Sequence, residues 1–315
     1  LGYGDLSAAI SIHVGGHIKF RETLVKDGIN LKKKPRKTDH LKPFQTLYEI
    51  KREIYIEGEL KYCLLGFVAA DGSIVNERNN KAIELCNSIK DQDYIIMWRD
   101  LISPTRPIHF KPSKIKPEYL AVRLKINSHE VVDMISNYIV IDNKSKNLIW
   151  VKNIEDQYMY HFIRAYIDGD GNISVCKNQR KCSDGMHYYF PIRLRILGTY
   201  NFLTGLTQYI ESSLGIKAVK VAKKGKENVY VTQYSGKHAE RILDKVYEDA
   251  TIFLKRKFIV WQYIINTPRE ELERNYKTPD GHYNDLAKKG LLPLKGKALK
   301  FIEVVKSPTP PYQSS

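Results

Sequence analysis

The sequence predicts an α+β protein made of two copies of one αββαββα unit, with a helical extension in front. Three observations carry that prediction. Leu64-Leu65-Gly66-Phe67-Val68-Ala69-Ala70-Asp71-Gly72 returns as Ile163-Arg164-Ala165-Tyr166-Ile167-Asp168-Gly169-Asp170-Gly171. Matching helix and strand patterns follow the two nonapeptides in the same order. The copies also lie too far apart for a solenoid, whose units run to roughly 20–50 residues, so the repeat is a duplicated domain. A chain of 315 residues, 43% hydrophobic, can bury the two or three cores this requires.

Residues 1–57 form a preface. Asp5 to Ile10 can open a short helix, Gly15-Gly16 is a turn signal, and Ile18, Leu24 and Val25 share one face of a second helix ending at Asp27-Gly28. This is the outline of a helix-turn-helix, with His17, Lys19 and Arg21 as groove readers. A plain helical hairpin is the other reading. Lys32-Lys33-Lys34-Pro35-Arg36-Lys37 is a solvated basic linker able to clamp phosphates.

The first copy occupies residues 58–150. A helix runs from Glu59 to Ala70, residues 73–78 and 81–87 form a hairpin turning at Asn79-Asn80, and Asp93 to Ile102 is a short helix. Residues 103–117 are a loop or edge strand around Ile108-His109-Phe110. Ala121 to Ile126 alternates as a strand, and His129 to Ile139 is a helix. The second copy, 151–266, repeats the order: a helix to Gly169, strands Asn172–Val175 and Tyr188–Leu197, and a helix Tyr200–Leu214. A hairpin of Lys217–Lys223 and Val229–Tyr234 turning near Gly225 follows, then a helix Lys237–Tyr247. Residues 267–315 are an extension with a possible helix at Leu294–Val304 and a polyproline-like end at Ser307 to Pro311.

Composition narrows the partner. There are 51 Lys+Arg against 35 Asp+Glu, a net charge of +16. Such an excess favours a polyanion, either nucleic acid or an anionic membrane. No apolar run reaches the roughly 18–20 residues that span a bilayer, and no basic amphipathic helix with a broad aromatic face stands out, so a membrane partner is not expected. The four cysteines form no C-x-x-C pair, which disfavours a zinc knuckle and points to reduced thiols in an intracellular protein.

The repeated nonapeptide is where the chemistry is expected. Gly66-x-x-x-Ala70 and Ala165-x-x-x-Gly169 each put small residues on one helix face, so two helix backbones can approach closely. The two motif helices are therefore expected to pack together about a pseudo-twofold axis. Asp71 and Asp170 close these helices at the end that already carries about half a negative charge. Each is followed by glycine, the expected residue for a left-handed cap. Pairing the helices also brings the acids together, which destabilises both charged forms. A divalent cation resolves this, because carboxylates and helix-end carbonyls are hard oxygen ligands suited to Mg²⁺.

The strands supply a platform. Arg193 and Arg195 alternate with Ile192, Leu194 and Ile196; Arg123 and Lys125 alternate with Val122, Leu124 and Ile126. Asn172 and Ser174 alternate with Ile173 and Val175, Lys220 lies between Val219 and Val221, and Tyr230 and Thr232 stand opposite two valines. Such faces can enter a major groove, where Arg reaches guanine edges and Lys contacts phosphate. Ser73 and Asn178 complete the residues expected at the DNA.

These residues resemble the LAGLIDADG motif of homing endonucleases, twice over, and the resemblance covers roughly residues 59–266. Phe253-Leu254-Lys255-Arg256-Lys257 and Asn143-Lys144-Ser145 are further points of similarity. The resemblance implies a monomer whose two units form a β-saddle on double-stranded DNA. It implies that Asp71 and Asp170, with the carbonyls of Ala70 and Gly169, bind Mg²⁺ or another divalent cation such as Mn²⁺. Lys257 and Lys144 would assist catalysis of a staggered double-strand break in a long, asymmetric target. The sixth motif position is Ala69 in one copy and Asp168 in the other, and Arg164 replaces a small residue, so the halves are unequal. The alternatives on the same fold are a maturase binding intron RNA and an inactive DNA-binding regulator; retention of both acids argues for the nuclease. The expected setting is the cytoplasm of a bacterial or phage-infected host, or an organelle matrix.

Overall fold

The computed structural model describes residues 56–77, 80–112, 120–140, 143–225, 228–268 and 270–272. The helix-turn-helix outline with His17, Lys19 and Arg21, the basic linker and nearly all of the C-terminal extension lie outside the described residues. The described residues from Glu57 onward belong to one compact unit.

Its first half runs α1 (Gly58–Ala70), β1 (Ser73–Glu77), β2 (Asn80–Ser88), α2 (Gln92–Ile102), β3 (Ile108–Pro112), β4 (Leu120–Asn127) and α3 (His129–Ser136). The short helix α4 (Lys144–Asn147) leads towards the second half. That half runs α5 (Asp156–Asp170), β5 (Gly171–Val175), β6 (Asn178–Cys182), β7 (Gly185–Tyr189), β8 (Ile192–Gly198), α6 (Tyr200–Leu214), β9 (Ala222–Lys223), β10 (Tyr230–Ser235), α7 (Lys237–Tyr247) and α8 (Lys255–Asn266). Two four-stranded sheets result, in the orders β1-β2-β4-β3 and β5-β8-β10-β9, with antiparallel pairing throughout. With β6 and β7 set aside the two orders are the same. The expected duplicated αββαββα architecture is thus the one observed.

Local chemistry explains the elements. Tyr62 to Ala69 of α1 are all buried, as are Phe162 to Asp168 of α5, so these two helices form the centre of the molecule. The surrounding helices are amphipathic. Each lays its apolar stripe on a sheet: Tyr94, Ile95, Trp98 and Ile102 in α2, Phe202, Leu203, Leu206 and Ile210 in α6. Ser128 and Thr199 cap α3 and α6 by accepting from the amides of Val131 and Phe202 at 3.2 Å, meeting donors that have no intrahelical partner. In β4 and β8 the inward residues Val122, Leu124, Ile126, Ile192, Leu194 and Ile196 are buried, as the alternation requires.

Four expectations are corrected. The strand expected over Tyr188–Leu197 is two strands, β7 and β8, broken at Phe190-Pro191, because proline has no amide to donate to a ladder. β7 pairs instead with β6 in a separate ribbon. Of Lys217–Lys223 only Ala222–Lys223 pairs with β10, so Lys220 is exposed but is not on a strand. The first helix after β4 ends at Ser136, not Ile139. Finally, the glycines after the motif acids are not left-handed caps: Gly171 is extended at φ −91°, and Gly72 has no positive φ. They are small for lack of space. A Cβ on Gly72 would lie 2.6 Å from Val68 Cα, and one on Gly171 2.4 Å from the Ile167 carbonyl oxygen.

Candidate active site

The site begins at the α1–α5 contact. A Cβ on Gly66 would lie 2.2 Å from the Phe162 carbonyl oxygen, and one on Gly169 would lie 2.4 Å from Ala70 Cβ. The helices therefore meet backbone to backbone through Gly66 and Gly169, the small residues that the motif supplies. The same approach brings the acids to one place: Asp71 Oδ2 stands 3.2 Å from where a Gly169 Cβ would be. Asp71 reaches solvent, and Asp170 is half-buried.

Each helix end carries a lysine. Lys144 Nζ donates to the carbonyls of Val68, Ala69 and Ala70 at 2.7, 2.8 and 2.8 Å. Lys257 Nζ donates to those of Ile167, Asp168 and Gly169 at 2.6, 2.5 and 3.1 Å. An ammonium on the last free carbonyls satisfies them and opposes the negative end of the helix dipole. The two halves do this with different parts. Lys144 opens the single-turn α4 after Asn143, whose left-handed φ of 48° turns the chain inward. Lys257 lies in the first turn of the 12-residue α8.

Charges within this site oppose one another. Burial raises the Asp71 carboxyl above its ordinary 3.8, against the pull of Lys257 and Lys144. Burial, and then the Asp71 charge, push Asp170 up to about 6. Burial also pushes Lys144 and Lys257 down to about 8, although the acids favour their charged forms. Even with both lysines present, the carboxylates are short of positive charge. Two hard carboxylates in this condition fit a divalent cation. The Ala70 and Gly169 carbonyls already accept from lysine, which leaves one lone pair on each for that role.

Asp168 is not one of the solvent-facing acids. It is buried, accepts from the Leu254 amide at 2.8 Å, and is pushed up to about 6 by burial. Its Oδ1 has no hydrogen-bond partner among the described residues. Leu254 precedes α8, so Asp168 fixes the start of the helix that delivers Lys257. Arg256 adds a bidentate pair with the buried Asp91 of the first half at 2.7 and 2.9 Å. Sequence reasoning missed Asp91. Its only signal was an acid just ahead of the α2 pattern, which reads equally well as a cap.

Arg164 is also buried. Its guanidinium donates to the carbonyls of Ile252 and Val246 at 2.8 and 2.9 Å and forms an ion pair with Glu59 of α1. Glu59 accepts in turn from the amides of Thr251 and Ile252, each at 2.9 Å.

The outward sheet faces carry part of the expected set. In the second half Asn172 and Arg195 are exposed, and Arg193 lies over Ser174 and donates to its hydroxyl at 3.3 Å. Arg195 is held by Gln233 at 2.7 Å, a residue that the sequence reading left out. Tyr230 and Thr232 were assigned to the wrong face. Thr232 pairs with the inward Ile196 and is fully buried, whereas Gln233 and Ser235 oppose Arg195 and Arg193. Tyr230 shares the Thr232 side and packs edge-on against Tyr200 with centroids 5.4 Å apart. In the first half Ser73 and Lys125 are exposed, but Arg123 is tied to Glu84 at 3.1 Å. Asn178 lies on the β6–β7 ribbon.

No family model matches the chain, and no curated protein does. Solved structures similar to it include the meganuclease I-SmaMI bound to uncleavable DNA, with 13% identity over 74% of this chain and 98% of that one, at a TM-score of 0.47. The I-LtrWI LAGLIDADG homing endonuclease bound to target DNA is 12% identical over 76% of this chain and 99% of that one, at a TM-score of 0.46. The LAGLIDADG meganuclease I-AabMI bound to uncleaved DNA is 13% identical over 74% and 97%, at a TM-score of 0.47.

Proposed function

We propose that the chain is a LAGLIDADG-type endodeoxyribonuclease that makes a staggered, metal-dependent double-strand break in a long, asymmetric DNA target. The observation that carries this reading is the pair of acids, Asp71 and Asp170, at abutting helix ends with a lysine ammonium behind each. A structural role does not call for two carboxylates raised in energy by burial, whereas a phosphodiester hydrolase needs them. Both acids and both lysines come from one chain, so a monomer completes the site. The four free cysteines suit a reducing compartment.

Asp71 and Asp170, with a lone pair from each of the Ala70 and Gly169 carbonyls, would hold Mg²⁺ or Mn²⁺. A bound divalent ion of this kind supplies a nucleophilic hydroxide and Lewis-acid stabilisation of the leaving oxygen. The protein's own part is positioning. Lys144 and Lys257 hold the helix-end carbonyls and place positive charge beside the scissile phosphates. The arginines of the second sheet hold the duplex across the acids, and Gln233 and Ser174 orient them. The halves read the duplex differently, because Arg123 is neutralised by Glu84 whereas Arg195 is steered by a neutral glutamine.

Replacing Asp71 or Asp170 by Asn is expected to lower cleavage of at least one strand by three or more orders of magnitude while DNA affinity changes less than tenfold. Strand-resolved cleavage of a selected target measures this. Full-rate cutting of both strands by both variants would overturn the assignment.

A further inference from the structure

The β6–β7 ribbon has no counterpart in the first half among the described residues, and the core does not hold it. Four of the five residues of β7 and the flanking turn are polar, glycine or half-exposed aromatics, and every residue of β7 is exposed, including Met186 and Tyr188 at 50%. An isolated two-stranded ribbon is marginally stable in water. At its closed end, however, the strand register collects three donor groups. Cys182 pairs with Gly185, and Arg180 with His187, so Cys182 and His187 are diagonal neighbours on one face. Asp184 in the two-residue turn folds onto the same face. Its Oδ1 lies 2.9 Å from His187 Nε2, and one donor atom from each of the three residues lies within 4.8 Å of the other two.

We propose that Cys182, Asp184 and His187 form a zinc site that orders this ribbon. Thiolate, carboxylate and imidazole are the ligand types Zn²⁺ takes, at bond lengths of about 2.0–2.3 Å, and a tetrahedron with such bonds has edges of roughly 3.3–3.7 Å. To reach that shape the His187–Asp184 contact, now 2.9 Å, opens by about half an ångström, and Cys182 Sγ, within 4.8 Å of both, settles to the same edge length, rotamer adjustments at an exposed turn. Water fills the fourth position. Thiolate and carboxylate together balance the ion's charge. Gly185 lets the turn close this way at φ 133°, where a side chain would be strained.

A second trio, Glu59, Cys63 and His161, is equally close-set. It holds no metal, because Arg164 Nη2 already stands at its centre, 3.2 Å from Cys63 Sγ, 2.9 Å from His161 Nδ1 and ion-paired with Glu59.

Cobalt substitution of the full chain tests the proposal, since Co²⁺ bound to thiolate gives a near-ultraviolet charge-transfer band that the all-oxygen acid site cannot. One equivalent of Co²⁺ should produce the band and Zn²⁺ should bleach it. Cys182→Ser should abolish it and Cys63→Ser should leave it. Absence of the band in the unaltered chain, or its survival in Cys182→Ser, would overturn the proposal. At zinc about 100-fold above its Kd, amide exchange across 178–189 should slow by up to about two orders of magnitude, and His187→Ala should erase the effect. Exchange that zinc leaves unaltered would refute the ordering role. Neither readout involves DNA cleavage, so both stand apart from the nuclease assay.

Discussion

Asp170 shows how a single residue couples the site to stability. Burial and the Asp71 charge lift its carboxyl from 3.8 to about 6 in the folded chain. Between about pH 4 and 6 the native state therefore keeps a proton that the unfolded chain has released, and stability falls as pH rises through that window. Above it the deficit is constant, at most ~3 kcal/mol. Asp170→Asn should then raise the melting temperature of metal-free protein at pH 7.5, and this gain should vanish about a unit below the unfolded value of 3.8. Millimolar Mg²⁺ should stabilise the original chain and not the variant. Thermal melts in chelator and in Mg²⁺ check both outcomes, and a variant less stable at pH 7.5 would show that Asp170 is not held at a cost. The acids and both lysines were legible in the sequence because motif position and charge type named them. Thr232 was not, since a threonine between Val231 and Gln233 fits either face and only its pairing with Ile196 decides which. Asp168 could be seen but its role could not: its partners, the Leu254 amide and the Tyr94 hydroxyl, are both distant in sequence, and the one closer in space is a backbone group.

Elements were legible wherever periodicity was strong. The central helices, β1, β2 and β4 of the first sheet and the amphipathic α6 and α7 fall where alternation or helical spacing puts them, whereas β3 lies in a stretch that reads as either loop or edge strand. The β6–β7 ribbon was not legible, because no apolar alternation marks strands that bury nothing. Even β9 was overdrawn: valines around Lys220 read as a strand that the chain does not pair. At this scale the interface of α1 with α5 is the element most sensitive to a small change. Gly66→Val puts three carbons where the Phe162 carbonyl already lies 2.2 Å from the first of them. A loss of about 3 kcal/mol or more is expected, at the upper end of overpacking costs, because backbone on both sides cannot yield. Urea denaturation measures it. Gly225→Ala, at an open position with φ 71°, should cost only about 1 kcal/mol and serves as the reference.

For the whole molecule the governing quantity is charge. A net +16 with arginines on the second sheet face predicts binding dominated by counterion release. Log K should fall linearly with log salt, with a slope of about −0.9 for each phosphate neutralised. Converting Arg193 and Arg195 together to Gln should make that slope shallower by about 2 on the same duplex, measured by fluorescence anisotropy. A slope unaffected by the double change would move the DNA off this face.

The Arg164 clamp has one more consequence, for self-association. It takes its charge partner from the other half: Arg164 belongs to α5 and Glu59 to α1. In the alignment of the two motifs, the residue that matches Glu59 in the second copy is Tyr158, and the residue that matches Arg164 in the first is Leu65. Two second halves brought together in the same way would each bury a guanidinium opposite a phenol, and leaving a buried charge unpaired costs roughly 3–5 kcal/mol. Two first halves would strand Glu59 beside a leucine. On charge pairing alone each half therefore matches the other better than it matches its own kind, because Glu59 is the ionic partner that Arg164 takes from across the interface.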